Sequence, residues 1–379
     1  MALSSWDVAR ARMGLFAEIM PRAVRSAKVA SHGDDVRGIP PSLVRPRSVG
    51  ESALDEFFVA VNSVVRDVSN IDELADDVGR CEAAADELTA LGIEGVNPPQ
   101  PAPRIVAQTR KRWGPTIYQS IDFAAEAQLP GALAQYGPDL GDVFNARVLA
   151  GGGAGRRWLI WVHGAGQGRS HDMFSFRAAH LHTQLGYNVV MPVLPAHGAR
   201  SHPGIDYPSF DPLMNVAVTS RAITDLRALV SWISEQDPLD ITIAGTSLGG
   251  PLAAVASGLE SRIGSVLAVV PMLGVHSTLA HHLDRAGERG RTAAALLRTP
   301  AVQAVSSVVD PLAILPQAPP DRRMVIAALN DRVTWVTAAQ RLHDFWGGRI
   351  HWYPGGHIAH VFSGHVRRAT DEFLSTTAG

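Results

Sequence analysis

The sequence predicts an α/β protein built on a mostly parallel sheet with helices on both faces. Six short apolar runs after residue 157 are typical of strands: WLIWVHG, YNVVMPVLP, DITIAGTS, SVLAVVPML, MVIAALN and RIHWYPG. Most are continuous and not alternating, as expected of strands that are buried on both faces of a parallel sheet. Helical patterns such as VAVTSRAITDLRALVSWISEQ separate them, so strands and helices alternate. Ligands of such sheets bind beyond the carboxyl ends of the strands, which is where we expect the chemistry.

The composition disfavours several classes of function. The 34 Lys and Arg residues nearly balance the 36 Asp and Glu residues, so a nucleic-acid partner is not indicated. The single cysteine, Cys81, cannot form an internal disulfide. The first apolar run follows Asp7, Arg10 and Arg12 and reaches only a few residues before Pro21, so it is not expected to be a signal peptide. No apolar stretch approaches the roughly 20 residues of a membrane-spanning helix. We therefore expect a cytoplasmic protein, of an oligomeric state that the sequence does not indicate.

The first 103 residues differ in pattern from the rest of the chain. Apolar residues recur at helical spacing between Glu51 and Leu91, which predicts two amphipathic helices. The segment NPPQPAP at residues 97–103 then ends the helical structure. We predict a helical N-terminal extension with a Pro-rich linker over residues 1–103 and an α/β domain over residues 104–379. In that domain PTIYQSIDF and FNARVLA are two further strand candidates.

The start of the chain carries large apolar residues among several arginines. A helix packed on its own protein is the favoured interpretation. A helix lying on a membrane surface is the alternative, so peripheral membrane contact is a second interpretation of this segment. The apolar residues concerned are Trp6, Met13, Leu15, Phe16, Ile19 and Met20.

The clearest chemical motif is ITIAGTSLGG at residues 241–250. Ser247 follows a strand-like run and precedes a helical pattern, and Gly245 and Gly249 flank it in the G-x-S-x-G arrangement of a nucleophile elbow. The serine of such a turn has a strained backbone, and the neighbouring chain comes too close for side chains at the two glycine positions. An ordinary strand-to-helix turn is the alternative. The strand before the serine and the helix after it favour a nucleophile.

A serine nucleophile needs a base, normally a histidine that a carboxylate orients. Asp331 follows the strand candidate MVIAALN, and His357 follows RIHWYPG. The carboxyl ends of parallel strands meet at one edge of the sheet, so we expect both side chains near Ser247. Asp310 is the rival carboxylate, because the acid could instead stand after an earlier strand.

The other histidines fall into two groups. Those considered as rival bases are expected to be packing or surface residues, and two neighbouring pairs are considered as metal ligands. Neither neighbouring pair, His180 with His182 or His281 with His282, has the spacing of metal ligands on a helix or a cysteine companion, so no metal site is expected. The histidines considered as rival bases are His351, His360 and His365.

The third requirement is a set of donors for a developing oxyanion. The backbone N–H of Leu248 is one candidate because it follows the nucleophile. The loop in WLIWVHGAGQG offers the second, from the amide of Ala165 or Gly166. The same GAGQG could indicate a dinucleotide site, but the spacing of its glycines is wrong and no acidic residue ends the next strand. We expect no cofactor.

Together these motifs resemble those of the α/β-hydrolase superfamily over roughly residues 115 to 379. HGAGQG is similar to the oxyanion loop of that family, GTSLGG to its elbow, and NDRV and PGGH to its acid and base loops. The segments VVMPVLPAHGAR and WYPGGH also resemble a group of actinobacterial α/β-hydrolase-fold proteins that carry a helical N-terminal extension and have no assigned substrate.

The resemblance implies an α/β-hydrolase fold and a serine hydrolase that forms an acyl-enzyme from a small acyl substrate, with a carboxylic ester as the default. A thioesterase, a peptidase or an acyltransferase would use the same residues. A binding protein that keeps the fold without catalysis is the alternative from another class. Residues 274–309 interrupt the alternation of strands and helices and are similar to a helical cap, or else form a surface helical pair with no role in selection.

Overall fold

The computed structural model describes residues 14, 16–65, 70–152 and 155–376, and in these residues one sheet of nine strands organises the chain. The strands are β1 Ile105–Trp113, β2 Thr116–Ala124, β3 Val143–Leu149, β4 Arg157–Val162, β5 Asn188–Pro192, β6 Asp240–Thr246, β7 Ser265–Val269, β8 Arg323–Ala328 and β9 Arg349–Tyr353.

Thirteen α-helices lie before, between and after these strands in the described residues. They are α1 Ile19–Ala30, α2 Pro46–Val65, α3 Ile71–Val96, α4 Gly137–Leu140, α5 Asp172–Ser175, α6 Ala178–Thr183, α7 Pro212–Ser234, α8 Gly249–Leu259, α9 Val275–Leu283, α10 Gly287–Leu296, α11 Pro300–Ser306, α12 Val336–Trp346 and α13 Gly364–Thr376. None of the helices in the described part of the chain is long and apolar enough to span a membrane.

The strand order across the sheet is β1-β2-β3-β5-β4-β6-β7-β8-β9. Strands β1, β2 and β3 pair antiparallel, and β3 pairs antiparallel with β5. The six strands β4 to β9 run parallel to one another. The carboxyl ends of these six strands therefore share one edge of the sheet, and the loops after β4, β6, β8 and β9 all leave from that edge.

The central parallel strands are buried along nearly their whole length, as their continuous apolar runs predict. One face of the sheet packs on α7 and α8 through residues such as Ile243 and Leu229, and the other packs on a cluster that includes Leu267 and Phe373. The mostly parallel sheet with helices on both faces is thus the fold that the sequence predicts.

Strand β1 was not predicted. Its sequence, IVAQTRKRW, is rich in polar residues, and eight of its nine residues are exposed. It lies at the end of the sheet and pairs with β2 alone. Because an edge strand of this kind gains most of its order from main-chain hydrogen bonds, its residues carry little burial pattern for a sequence analysis to detect.

The N-terminal helices pack onto the rest of the protein. Buried residues of α3, such as Leu74, Cys81 and Leu88, share a core with the first turns of α7 and with α10 and α11. Helix α2 contacts α9 and the short helix that follows His357. The segment 274–309 forms α9, α10 and α11, and these three helices contact the N-terminal helices α2 and α3.

The earliest predicted helix lies only partly within the described residues. Trp6, Met13 and Leu15 are outside them. Phe16 is exposed, and its ring lies 6.1 Å from that of Phe57. Membrane contact by this segment stays a prediction.

Candidate active site

Ser247 lies in a tight turn between β6 and α8, and its backbone has a φ of 53°, in the left-handed region. Its N–H donates to the carbonyl of Val269 at 2.9 Å, which ties the turn to β7. A Cβ on Gly245 would lie 2.0 Å from the carbonyl oxygen of Gly249, and one on Gly249 would lie 2.3 Å from that of Val162. Both glycines are therefore required by the close approach of main chain on both sides of the serine.

Three groups from separate strand ends meet at this turn. The imidazole Nε2 of His357 lies 2.9 Å from Ser247 Oγ, and its Nδ1 lies 2.8 Å from Asp331 Oδ2. Asp331 follows β8 and His357 follows β9, so the parallel sheet brings their loops together. The structure thus places the three predicted side chains in one hydrogen-bonded chain.

The carboxylate of Asp331 is held by its own loop. Its Oδ1 accepts the amides of Val333 and Thr334, each at 2.8 Å, and its Oδ2 accepts the Thr334 hydroxyl at 2.8 Å. Thr334 is therefore a further residue of the site, and it could not be recognised from the sequence because hydroxyl side chains are common in loops.

Asp331 and His357 each stabilise the charged form of the other. Burial raises the pKa of Asp331, but the charge and hydrogen bond of His357 and the bonds from Thr334 lower it by more, so the pKa lies below its ordinary value. Burial also lowers the pKa of His357, and the charge and hydrogen bond of Asp331 more than reverse this, so that pKa lies above its ordinary value. The pair is thus suited to hold a proton on the imidazole when Ser247 gives one up.

The loop after β4 passes beside Ser247 and is fixed by polar contacts. Gln167 Oε1 accepts the Gly164 amide at 2.7 Å, and Asp172 Oδ2 accepts the Gly168 amide at 2.6 Å. His163 donates from Nδ1 to the Gly164 carbonyl at 2.8 Å and accepts the Leu194 amide at Nε2 at 3.1 Å. Burial lowers the pKa of His163 to about 3, so it is a neutral structural residue.

The amides of Leu248, Ala165 and Gly166 donate to no acceptor within the described residues. A Cβ added at Gly164 would lie 3.2 Å from Ser247 Cβ, which shows how close this loop comes to the serine. Leu248 is buried, and buried main-chain donors are nearly always paired in proteins, whereas Ala165 is half-buried and Gly166 is exposed. The three amides are candidates for binding an oxyanion because they belong to the turn and the loop beside Ser247.

The rival residues lie elsewhere. Asp310 is exposed, and its carboxylate accepts the amide of Leu312 at 2.9 Å. His360 donates to the carbonyl of His357 at 2.6 Å and does not contact Ser247. His351 lies within β9 and His365 within α13.

His180 contacts Asp371, and among the described residues no group of three or more His, Cys, Asp or Glu is placed to hold a metal.

Apolar side chains surround the candidate oxyanion donors. Leu248 and Met272 belong to a buried cluster, and several partly buried residues, including Ala165, pack against that cluster. Those partly buried residues are Leu129, Ala165, Ala196, Met214 and Val275.

Carboxylates of the N-terminal helix α2 also reach the loops of the site. Asp55 accepts the amide of His357 at 2.7 Å, and Glu51 accepts that of Gly356 at 2.9 Å. The sequence analysis missed both, because one acidic residue of an amphipathic helix cannot be distinguished in sequence from its solvated neighbours.

The chain is similar to known proteins in sequence and in fold. Residues 159–373 match the family model described as the alpha/beta hydrolase family. Uncharacterized proteins of Mycobacterium tuberculosis strains H37Rv and CDC 1551 / Oshkosh are each 36% identical over 220 residues, which cover 56% of this chain and 52% of each relative. The chain therefore spans about half the length of the curated relatives it matches.

Two solved structures are similar in fold. Acetyl xylan esterase 1 from Thermoanaerobacterium sp. JW/SL YS485 has a TM-score of 0.53 at 15% identity, covering 80% of this chain and 94% of that one. An acetyl xylan esterase from Paenibacillus sp. R4 has a TM-score of 0.52 at 14% identity, covering 78% and 93%. The family match, the sheet topology and the strand-end loops lead to one conclusion: the chain belongs to the alpha/beta hydrolase family.

Proposed function

We propose that the protein is a serine hydrolase that cleaves carboxylic esters through an acyl-enzyme. The observation that carries the proposal is the hydrogen-bonded chain from Ser247 Oγ through both nitrogens of His357 to Asp331 Oδ2, at 2.9 and 2.8 Å. A serine hydroxyl is a weak nucleophile, and this arrangement is the one that activates it.

In the proposed reaction His357 accepts the proton of Ser247 as its oxygen attacks the ester carbonyl. The oxyanion that forms is bound by the amides of Leu248 and of Ala165 or Gly166. The imidazolium then gives its proton to the departing alcohol as the C–O bond breaks, which leaves the acyl group on the serine. Water, deprotonated by His357, attacks the acyl-enzyme and releases the carboxylic acid and free Ser247.

The apolar residues beside the candidate oxyanion donors support an uncharged, apolar acyl group. Met214 and Val275 are partly buried and pack against the cluster that contains Leu248. A charged acyl chain placed there would lose its hydration without gaining a partner from these side chains. We therefore expect esters of short to medium aliphatic acids to be preferred over charged ones.

The experiment is labelling with a fluorescent fluorophosphonate, together with turnover of nitrophenyl esters of increasing acyl length. The parent protein is expected to be labelled and to hydrolyse the esters. Ser247→Ala is expected to lose the label and to lose about six orders of magnitude in kcat, as other serine hydrolases do without their nucleophile.

Ser209→Ala is the matched control, since Ser209 contacts only the chain around Asp211 and Asn215. It should be labelled like the parent. Turnover of nitrophenyl thioesters in the same series at higher kcat/KM would make the protein a thioesterase. A folded parent with neither labelling nor turnover would contradict the hydrolase and favour a binding protein.

A further inference from the structure

We propose that Asp55, on helix α2, is a positioning residue that holds the loops of the catalytic acid and base in register. The proposal rests on the proposed function, because it gives a role to a residue of that same site. The Asp55 side chain has no exposed surface. Its Oδ2 accepts the amides of His357 at 2.7 Å and Arg332 at 3.1 Å, and its Oδ1 accepts that of Ile358 at 2.9 Å.

These three amides belong to two different loops. The amides of His357 and Ile358 are in the base loop after β9, and that of Arg332 directly follows Asp331 in the acid loop after β8. One carboxylate therefore bridges the main chain at His357 itself and at the residue that follows Asp331. Each bond joins an ionisable oxygen to a backbone N–H, which makes it stronger than a neutral hydrogen bond when Asp55 is charged.

The neighbouring carboxylates of α2 extend the same contact. Glu51 accepts the Gly356 amide at 2.9 Å, and a Cβ on Gly356 would lie 3.0 Å from the Glu51 carbonyl oxygen. Glu56 accepts from Arg332 Nε at 3.0 Å and also pairs with Arg285, which lies just after α9. The helix is thus attached to the base loop, the acid loop and the segment after β7.

Packing alone does not account for a buried carboxylate at this position. An apolar side chain would fill the space without the cost of removing a carboxylate from water. Burial and the nearby charge of Asp331 raise the pKa of Asp55 to about 7, against the influence of His357 and two backbone bonds. In its charged form Asp55 also raises the pKa of His357, so it acts on the base through charge as well as through position.

The charged groups that face Asp55 come from three elements. Asp331 and His357 belong to the two loops, and Glu51 and Glu56 belong to its own helix, while Arg332 binds Glu56 beside it. Removing the Asp55 charge leaves Asp331 as the main group that raises the His357 pKa. The acid limb of the activity should therefore move to lower pH.

The test compares Asp55→Asn with Glu82→Gln, which removes an exposed carboxylate from α3. For Asp55→Asn we expect kcat to fall about 10- to 100-fold, as for a small misplacement of reacting groups, with KM changed less than about threefold. Glu82→Gln should match the parent. Circular dichroism and the melting temperature establish that each variant is folded. Unchanged kcat in folded Asp55→Asn would overturn the proposal.

A second readout does not depend on turnover. The imidazole signals of His357, assigned by their loss in His357→Gln, are titrated by NMR in the parent and in Asp55→Asn. A lower His357 pKa in the variant is expected, and an equal pKa together with equal kcat would refute the role. If the parent neither reacts with fluorophosphonate nor hydrolyses esters, the proposed function fails while this titration still decides the role of Asp55.

From a separate observation we infer that the cavity between α1 and the acid loop is a binding site for a small organic anion. Its volume is about 490 Å³, and Asp331 lines it while Ser247 and His357 do not. It lies between α1 with its following turn, the end of α9, and the chain after Asp331. Five arginines line it: Arg22, Arg25, Arg37, Arg285 and Arg332.

The positive charges in this cavity exceed the carboxylates available to them. Asp34 and Asp331 also line the cavity, but Asp34 pairs with Arg37 at 3.3 Å and Asp331 is bonded to His357. Glu56 is shared by Arg285 and Arg332, and Arg22 has only a 3.9 Å contact with Glu18. Arg25 has no ion pair within the part of the chain that the structure describes. The buried Nη1 of Arg285 also has no acceptor among the described residues. An anion would supply the missing charge and acceptors.

The cavity also offers a flat wall. The ring of Trp335 lies 3.8 Å from that of His281, measured between centroids, and 5.0 Å from that of His282. The volume is in the range of sites for small organic molecules. Guanidinium groups beside an aromatic ring suit a carboxylate or a phosphate attached to an aromatic or apolar group.

Calorimetric titration with benzoate, phenyl phosphate and neutral benzyl alcohol tests this site without any turnover. We expect at least one of the two anions to bind. The anion that binds more tightly shows whether the site prefers a carboxylate or a phosphate. The double variant Arg22→Gln with Arg25→Gln should weaken binding about tenfold or more. Lys28→Gln, an exposed cation on the same helix outside the cavity, should not. Equal binding of benzyl alcohol, no anion binding, or full affinity in the double variant would overturn the inference.

Discussion

The α/β core and the N-terminal helices both reach the candidate site, but they contribute different kinds of groups. The core places Ser247, Asp331 and His357, the three side chains that the proposed mechanism uses, on loops at the ends of β6, β8 and β9. Helix α2 contributes Asp55, which binds only main-chain amides. The reacting groups require particular side chains at particular strand ends, whereas a main-chain amide can be bound by any acceptor that the fold brings near it. A motif can therefore indicate the first kind and not the second.

After the loss expected for Ser247→Ala, the largest effect distinguishes two carboxylates of the core. Asp331→Asn should lower kcat for ester hydrolysis by about 10⁴-fold, because the imidazole of His357 loses the charge that orients it and stabilises its proton. Asp310→Asn should change kcat less than twofold, since that exposed side chain accepts only the amide of Leu312. Steady-state kinetics of both variants decide this. Equal losses would mean that the acid has been assigned to the wrong loop.

A smaller effect should distinguish two glycines, one in each region. Gly249→Ala should lower the free energy of unfolding by about 4 kcal/mol, because its Cβ would lie 2.3 Å from the carbonyl oxygen of Val162. Gly79→Ala on α3 has open space around it and should raise that free energy by about 0.5 to 1 kcal/mol. Urea denaturation of the two variants measures both. Two mild changes would contradict the tight elbow.

The N-terminal helices and the α/β core are expected to unfold together. Leu88 in α3 and Leu229 in α7 are both fully buried, so each change to alanine should cost about 3 kcal/mol. Because α3 shares a core with α7, we expect each variant to shift one common transition in urea, followed by fluorescence and by activity. A separate early transition in Leu88→Ala that leaves activity intact would show that the N-terminal helices are dispensable.

The smallest expected effect is on the pH dependence of kcat/KM, which follows the protonation of His357. The base must be neutral to accept the proton of Ser247, so activity falls as the pH drops below the pKa of His357. Asp331 outweighs burial and raises that pKa, so the acid limb of kcat/KM should lie above pH 6.5. The pair is buried, so between 50 and 500 mM NaCl the limb should move by less than about 0.3 pH units. A limb below pH 6.5 would contradict the stated balance of charges.

Much of the fold could be predicted because burial leaves a pattern. Strands β4 to β8 are continuous apolar runs since helices cover both of their faces, and the α/β architecture with its family resemblance is confirmed. Strand β1 could not be predicted, because eight of its nine residues are exposed and its order comes from pairing with β2. The same reason applies to Gln167 and Thr334, whose side chains bind loop amides or a carboxylate without any spacing rule.

The amino-acid sequence alone determined where the candidate nucleophile, acid and base stand relative to strand ends, because each of those loops follows an apolar run. Only the tertiary structure decided that Asp55, 302 residues before His357 in the chain, binds the amide of that histidine. A hydrogen bond of this kind depends on how a helix packs against two loops, and packing between distant segments leaves no local periodicity in the sequence.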